Sequence, residues 1–337
     1  MTKKTATAQG EIAMNIRKAV FAGALGIAVL AASGAQAADS IKVTISHKTS
    51  WDVIFPVMAK EQGFFKQQNL DVDFLFAAGG SESVQTAALG SVQIVVTASV
   101  HAVIAAYAKG AAVRIIGSQI VGSPDIYWYV KTDSPIKTPK QMDGKNVGYS
   151  RPGSVTHMLI QNFSKQHGIA PKLISGGGPP ANRTMLMTDQ LDVAWSASPF
   201  AMDIVQAGQA RILFSGNDVT AAKDVVGRVT IVNADYLKEH RDVVRRYLIA
   251  YAKSVDYVYG PKHDDAVKWF ADENKMDMAV TRAATKYFGT KADHALTPIK
   301  DLKAAMDQAL EFGMIKEALT PAQLKDLVEI VFDPPKS

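Results

Sequence analysis

The chain has 337 residues, 47% hydrophobic and 20% charged, so it can bury a large core and is long enough to form two lobes. It contains no cysteine, which excludes disulfides, thiolate metal sites and cysteine nucleophiles. The formal net charge is +5, but four of the 37 basic residues and one of the 32 acidic residues fall within residues 1–38. The remainder is therefore nearly neutral and lacks the clustered basic face of a nucleic-acid binder.

The first 38 residues have the layout of a secretory signal. Arg17 and Lys18 precede an apolar run over residues 19–32, and Ala35 and Ala37 then stand as the small residues before a cleavage position. The run is shorter than the roughly 20 residues that span a bilayer, so cleavage is favoured over anchoring. The sequence predicts a signal peptide over residues 1–38 and export to the periplasm.

Strands and helices alternate over residues 39–131, which we predict to be the first part of a first lobe. Four runs have strand character: residues 41–46, 71–76, 92–97 and 113–117. Runs with helical spacing lie between them. This alternation is typical of βαβ units around a mainly parallel sheet that helices cover on both faces.

The alternation is interrupted around residues 125–139 and then resumes, which predicts a second α/β lobe over residues 132–216. Its expected strands are residues 145–150, 172–175, 191–196 and 210–215. The chain would cross between the lobes near Val130 to Ser134 and return near Ser215 to Val226. Two adjacent crossings predict a hinge.

Residues 217–337 are predicted to return to the first lobe. One more strand is expected within residues 227–237, and five helices follow it: residues 241–259, 264–273, 278–288, 299–312 and 321–330. These helices have apolar faces but no sheet of their own, so we expect them to cover the first lobe. The predicted fold class is therefore α/β, with two lobes and a helical C-terminal tail.

Two strand-to-helix corners, "FLFAAGGSESVQTAAL" and "NVGYSRPGSVTHML", have the same composition. Their turns carry small and hydroxyl-bearing residues: Gly80 and Ser81 in the first, and Ser150, Gly153, Ser154 and Thr156 in the second. In open α/β sheets, ligands bind beyond the carboxyl ends of the strands, where amides at helix N-termini attract anions and polar oxygens. The two corners together predict one shared cleft. Ser81 and Ser154 could equally act as helix caps only, and that alternative stays open.

Other strand ends supply further candidate ligand-binding residues: Lys48, Thr49, Trp51, Thr97, Ser99, Arg151, Trp195 and Ser196. Lys48 and Arg151 could neutralise an anionic group, or be solvated surface cations. Trp51 and Trp195 could pack against a flat or apolar part of a solute, or belong to the core.

Catalytic motifs are incomplete in this chain. The sequence "GYSRP" has Pro152 in place of the final glycine of a nucleophile elbow, and "SPIK" satisfies S-x-x-K without its companion motifs. No phosphate-binding loop is present, and the seven histidines show no pair at metal-ligand spacing. We therefore expect a binding protein rather than an enzyme, with no cofactor and no metal.

The order of these motifs resembles that of the periplasmic binding proteins of ABC importers in the sulfonate, nitrate and taurine group, which includes binders of pyrimidine precursors. The likeness runs over about 180 residues, from "IKVTISHKTSWDVIFPVMAKEQGFF" through "AKGAAVRIIG" and "KNVGYSRPGSVTH" to "MTDQLDVAWSASP". The chain departs from the family at Gln93, where an acidic residue is frequent. The resemblance implies a flytrap-like binder that closes on a small molecule and delivers it to a membrane permease.

The resemblance also implies ligand positions at both corners and at the strand ends: Thr49, Trp51, Gly80, Ser81, Thr97, Ser99, Ser150, Gly153, Ser154, Thr156, Trp195 and Ser196. The expected function is a monomeric periplasmic solute-binding protein for a small organic anion, a sulfonate or a carboxylate, aromatic carboxylates included. A neutral heterocycle such as a pyrimidine precursor is the main alternative, and a ligand-sensing partner of a membrane receptor would share the same cleft. Related pyrimidine-precursor synthases use a cysteine-rich iron-binding motif, which this chain cannot supply.

Overall fold

The first lobe is built around a five-stranded sheet. The computed structural model describes residues 37–334, and its first sheet has the strand order β2-β1-β3-β10-β4. The strands are β1 (Asp39–Ser46), β2 (Leu70–Ala77), β3 (Ile94–Ser99), β4 (Val113–Val121) and β10 (Val226–Asn233). β1 pairs in parallel with β2 and β3, whereas β10 lies antiparallel between β3 and β4. One strand of this mainly parallel sheet is therefore reversed.

The second lobe repeats this arrangement. Its strands are β5 (Ile126–Lys131), β6 (Asn146–Tyr149), β7 (Lys172–Ser175), β8 (Ala194–Ala197) and β9 (Ala210–Ser215). β5 lies antiparallel between β8 and β9, and β6 pairs in parallel with β7. A parallel bridge between Val147 and Val193 connects these two groups of strands. The resulting order, β7-β6-β8-β5-β9, matches that of the first sheet with β5 in the reversed position.

Thirteen helices of the described chain surround these sheets. Those of the first 130 residues are α1 (Ile54–Glu61), α2 (Phe64–Gln67), α3 (Gly80–Ala88) and α4 (Val100–Ala108). Those of the second lobe are α5 (Val155–His167), α6 (Pro179–Met187) and α7 (Met202–Gln206). The remaining helices are α8 (Ala234–Glu239), α9 (Arg241–Val258), α10 (His263–Glu273), α11 (Met278–Ala284), α12 (Leu302–Glu311) and α13 (Pro321–Leu327).

Alternating side chains explain how the first sheet becomes the centre of its lobe. Successive residues of a strand point to opposite faces, and on β3 Ile94 and Val96 join one apolar cluster while Val95 between them joins another. Helices α1 and α9 pack together within the first cluster, and α4 and α12 within the second. Burial on both faces is why this strand is an unbroken apolar run rather than an alternating one.

The C-terminal helices mostly cover the first lobe, as expected. Helix α9 packs on α1 and α2, α12 on α4, and α13 on β4. Helix α11 differs, because it packs on α7 of the second lobe. The hydroxyl of Ser198 also donates to the carbonyl oxygen of Ala284 at 3.3 Å. The tail therefore contacts both lobes.

The chain crosses between the two sheets at adjacent points. The first crossing was expected near Val130 to Ser134, but β5 pairs with β8 and β9, so the connection lies earlier, in residues 122–125. The sequence pattern identifies β5 as a strand but does not say which sheet it joins. The return connection runs through residues 216–225, and the amide of Gly122 donates to the carbonyl oxygen of Val225 at 2.9 Å.

The predicted signal peptide lies outside the described residues, except for its last two. Within residues 37–334, no helix combines the length and the apolar character needed to cross a bilayer.

Candidate functional site

A small cavity lies where the two lobes meet. Its volume is about 30 Å³, roughly twice what one water molecule requires. The first lobe contributes the ends of β1 and β3, the start of α3 and one residue of β10, and the second lobe contributes the ends of β6 and β8 and the start of α5. The lining residues are Ser46, His47, Ser50, Asp52, Gly80, Thr97, Ile126, Ser150, Ser154, Val155, Thr156, Trp195, Ala197 and Arg228.

The first corner depends on a glycine at the start of α3. A Cβ atom on Gly80 would lie 2.8 Å from both the amide nitrogen of Ser99 and the carbonyl oxygen of Thr97, so a larger residue would collide with the backbone of β3. Thr97 itself has φ 64°, an unusual conformation for a β-branched residue. Its hydroxyl accepts the amide of Ser46 at 2.9 Å, which connects the ends of β1 and β3. Backbone strain of this kind is often found at functional sites.

The second corner is held by a group of hydroxyls. The Thr156 hydroxyl accepts the amide of Ser150 at 2.9 Å and also lies 2.9 Å from the hydroxyl of Ser154. Ser154 caps α5 by accepting the amide of His157 at 3.2 Å. The amides of Val155 and Thr156, in the first turn of α5, have no acceptor inside the helix. Both residues line the cavity, so the N-terminus of α5 borders it.

The two corners are in direct contact. The hydroxyl of Ser99 donates to the carbonyl oxygen of Gly153 at 2.8 Å, across the two lobes. A Cβ atom on Gly153 would lie 3.9 Å from the Cβ of Ser81, and one on Gly79 would lie 3.5 Å from the hydroxyl of Ser150. The bends therefore face one another, which is the arrangement that a shared cleft requires.

A buried charged cluster forms one wall of the cavity. Arg228, on β10, donates from Nη1 to Asp52 at 2.7 Å and to Asp125 at 2.9 Å, and it also pairs through Nη2 with Asp125. Burial and the nearby Asp125 raise the pKa of Asp52 to about 6 against the opposing effect of Arg228. Burial opposes the charge of Arg228, but the two carboxylates outweigh it and raise the pKa of this side chain further. One guanidinium thus faces two carboxylates.

His47 and Trp195 form another part of the wall. Their rings meet edge to face with centroids 5.3 Å apart, and the indole nitrogen of Trp195 donates to the carbonyl oxygen of Gly177 at 3.1 Å. Burial, with Arg228 and Arg151 nearby, lowers the pKa of His47 to about 4. This imidazole is therefore neutral at physiological pH and adds no positive charge to the cavity.

The structure brings six of the fourteen predicted site residues to the cavity wall: Gly80, Thr97, Ser150, Ser154, Thr156 and Trp195. Three more lie in the contact between the corners, behind the wall: Ser81, Ser99 and Gly153. Five do not line the cavity: Lys48, Thr49, Trp51, Arg151 and Ser196.

The residues outside the cavity have other contacts. Lys48 is exposed and pairs with Glu273 at 2.8 Å, and Arg151 lies 3.8 Å from Glu82 near the surface. Trp51 belongs to the core of the first lobe, where its ring stacks on a phenylalanine of the C-terminal segment, Phe288, at a centroid distance of 4.0 Å. Ser196 donates to a backbone carbonyl within its own turn. Thr49 is partly exposed.

Sequence reasoning missed the charged residues of the cavity. Arg228 is a lone cation in the apolar run "VVGRVTIV", and a buried strand that contains an arginine needs an acidic partner. That signal could have identified Arg228, but Asp52 stands 176 positions away and nothing local marks it as the partner. Three more residues of the wall, Ser46, His47 and Ser50, lie beside the predicted residues Lys48 and Thr49 but were not among the predictions.

Solved structures of other proteins share this fold. The alkanesulfonate-binding protein SsuA from Xanthomonas axonopodis pv. citri, bound to MOPS, is 16% identical and superposes with a TM-score of 0.74 over 88% of this chain and 100% of that chain. The nitrate-binding protein NrtA from Synechocystis PCC 6803 is 14% identical, with a TM-score of 0.66 over 86% of this chain and 85% of that chain. The chain therefore has the two-lobed periplasmic binding protein fold.

Sequence comparison identifies the family. A 4-amino-5-hydroxymethyl-2-methylpyrimidine phosphate synthase of Saccharomyces cerevisiae is 22% identical over 217 residues, which is 60% of this chain and 62% of the yeast protein. The chain thus spans less than two thirds of the length of that relative. The signature of the family described as NMT1/THI5 like matches residues 51–266, well over half of the sequence. The chain belongs to the NMT1/THI5-like family.

Proposed function

We propose that this protein is the extracytoplasmic solute-binding component of an ABC importer. It captures a small polar solute between its two lobes and presents it to a permease in the inner membrane. The observation that carries this proposal is the cavity itself, because both lobes line it with polar groups and the two corners close over it. Binding proteins of this fold in other organisms, named for alkanesulfonate and nitrate, support the same reading.

Closure over the solute follows from the crossings. A cavity of about 30 Å³ does not admit an organic molecule from solvent unless the corners move apart. The lobes are joined by the two connections at residues 122–125 and 216–225, so rotation there would separate Ser99 from Gly153 and open the cleft. Exclusion of water on closure would then strengthen each polar contact with the solute.

Two solute classes are supported by different parts of the wall. The first-turn amides of α5 and the surrounding hydroxyls suit the acidic end of a sulfonate or carboxylate, which is the organic anion expected from the sequence. The carboxylate of Asp52 suits instead a solute with an N–H group, which favours the second candidate, a heterocycle related to pyrimidines. The name of the yeast relative points to the second class.

A binding role is favoured over a catalytic one. The yeast relative is named a synthase, but the cysteine-rich motif associated with such enzymes cannot be formed by a chain without cysteine. Within residues 37–334, no group of three or more metal-ligating side chains could hold an ion. We infer a monomer that works together with its permease.

The test is a thermal-shift and calorimetry screen of residues 39–337 against alkanesulfonates, aromatic carboxylates, nitrate and pyrimidines. A true solute raises the unfolding midpoint in a concentration-dependent way, since it binds only the folded protein. Thr156→Val should weaken that binding by about three- to tenfold, because it removes the hydroxyl that holds the amide of Ser150 in the second corner. Thr184→Val, at an exposed threonine whose hydroxyl bonds only within α6, is the matched control and should bind like the wild type. If no solute binds, or if both variants bind equally well, the proposal fails.

A further inference from the structure

Asp52 has an unused, buried acceptor beside the cavity. Its side chain is only 3% exposed and lines the cavity wall. Oδ2 accepts a hydrogen bond from Arg228 at 2.7 Å, whereas Oδ1 has no hydrogen-bond partner within the described part of the chain. A buried carboxylate oxygen without a donor costs free energy, so this atom is unusual in a folded protein.

Arg228 does not compensate for this oxygen. Its Nη1 and Nη2 are shared between Asp52 and Asp125, so the cluster has two carboxylates for one guanidinium. The Nε of Arg228, a donor, also lacks a partner among residues 37–334, and its side chain lines the same cavity. The residues that line the cavity therefore hold one unpaired acceptor and one unpaired donor of the cluster, and the first turn of α5 adds amides without an acceptor inside the helix.

This combination is poorly suited to a plain anion. A sulfonate or carboxylate without N–H groups would bring a second negative charge to a site that already has a surplus carboxylate. A solute that carries both a donor and an acceptor would instead satisfy Oδ1 of Asp52 with the first, and the Arg228 Nε or the α5 amides with the second. His47 adds no charge of its own, and Arg151 lies outside the cavity next to Glu82.

We propose that Asp52 determines the specificity of this site, and that the solute bears an N–H donor, either an ammonium or an amino group on an aromatic ring, which binds Oδ1 of Asp52. This inference rests on the proposed binding function and defines its solute class. The acidic group or ring nitrogen of the same solute binds the donors on the remaining wall. Asp52 is thus the residue that discriminates amino-bearing solutes from their analogues without an amino group.

The test uses matched pairs of solutes on the full mature chain, in which only the amino group differs. One pair is 2-aminoethanesulfonate with ethanesulfonate, and the other is 4-aminopyrimidine with pyrimidine, both measured by calorimetry beside the general screen. We expect the amino member of one pair to bind at least about tenfold more tightly, as a charge-assisted hydrogen bond predicts. The pair that responds distinguishes the ammonium from the ring amino group.

The Asp52→Asn variant reverses the polarity of the site. Its amide oxygen must face Arg228, because only an oxygen can accept from the guanidinium, so its NH₂ group takes the place of Oδ1. The tenfold preference should disappear. Asp125→Asn is the matched control, because it removes the same charge from the same cluster without changing an atom of the cavity wall, and it should keep the preference. Circular dichroism of both variants reports whether they fold.

Each outcome decides the proposal. An amino preference that is lost in Asp52→Asn and kept in Asp125→Asn supports it. Equal or tighter binding of the amino-free members, a preference that survives Asp52→Asn, or binding of neither pair while another solute of the screen binds, overturns the role of Asp52 but leaves the binding function intact. Absence of binding by every solute overturns both.

Discussion

Replacement of Arg228 by methionine tests how far the buried charged cluster organises the protein. Methionine has a similar length but cannot donate a hydrogen bond. The change removes the donor that Asp52 and Asp125 share, and both carboxylates are then left buried next to one another. We expect the folded protein to be destabilised strongly at neutral pH.

The magnitude follows from the geometry. Removal of one partner from a buried ion pair costs about 3–5 kcal/mol, because the other charge stays uncompensated. Arg228 serves two carboxylates through three hydrogen bonds, so the loss for Arg228→Met should lie at the upper end of that range. Arg228→Lys keeps the charge but cannot span both partners, and it should cost less.

The effect should depend on pH in a defined direction. The pKa of Asp52 in the folded wild type, about 6, lies above its ordinary value of 3.8, so the folded protein binds this proton more tightly than the unfolded chain. Stability is therefore lost as pH rises between these two values. Without Arg228 the pKa of Asp52 rises further, so the pH range over which stability is lost becomes wider. The difference in unfolding free energy between the wild type and Arg228→Met should therefore be largest near about pH 7.5 and smaller near about pH 5.

Urea unfolding at both pH values measures the gap. The free energy of unfolding is extrapolated to water for the wild type, Arg228→Met and Arg228→Lys. A loss below about 1 kcal/mol for Arg228→Met, or a gap that stays constant between the two pH values, would refute the reasoning, since either result means that the carboxylates do not depend on Arg228.

Three further predictions concern the cavity. Affinity for an amino-bearing solute whose own charge is constant should increase as pH rises through about 6, because Asp52 is then ionised; titration calorimetry across this range measures it. Gly80→Ala should destabilise the fold by about 1–3 kcal/mol and weaken solute binding, because the added methyl group meets the carbonyl oxygen of Thr97 at 2.8 Å; thermal unfolding and the solute titration report the two effects. Ser154→Ala should cost about 1 kcal/mol through loss of the helix cap on the amide of His157, and urea unfolding measures this loss.

Each of these three predictions has its own control or its own result that would contradict it. For the pH series, Asp52→Asn should show a flat profile, and a wild-type affinity that falls as pH rises would contradict an ionised acceptor. Gly80 is not among the glycines with positive φ, so the loss in Gly80→Ala reports the collision rather than backbone strain, and a variant as stable as the wild type would remove the packing argument. An unchanged Ser154→Ala variant would mean that the neighbouring hydroxyls replace the cap.

The sequence predicted those features that depend on local pattern. The alternation of apolar runs located the strands of both lobes, and the glycine and serine turns identified the two corners, which approach one another at Ser81 and Gly153. Trp51 could not be placed in the same way. Its neighbours in the core come from the C-terminal helical segment, more than two hundred positions later, and local composition does not distinguish a tryptophan of the core from one beside a ligand.

The charged wall was not predictable for a related reason. Asp52 reads locally as an ordinary acidic residue in the first turn of a helix, where it stabilises the helix dipole. Its partner Arg228 lies on β10, which follows the entire second lobe in the sequence. The position of the crossing before β5 was misjudged because strand character does not encode the identity of the neighbouring strands.

The hydrogen bond between Gly122 and Val225 has a consequence for how the protein is assembled. It places the two ends of residues 122–225 side by side, next to the pair that Val121 and Val226 form between β4 and β10. This segment is therefore an insertion between two adjacent strands. Replacing it by a short linker from residue 121 to residue 226 should leave β4 paired with β10. The part of the first lobe that precedes this segment cannot form its sheet independently. Residues 39–121 alone lack β10, the strand that joins β3 to β4, so the first sheet is completed only when residues 226–233 are present as well.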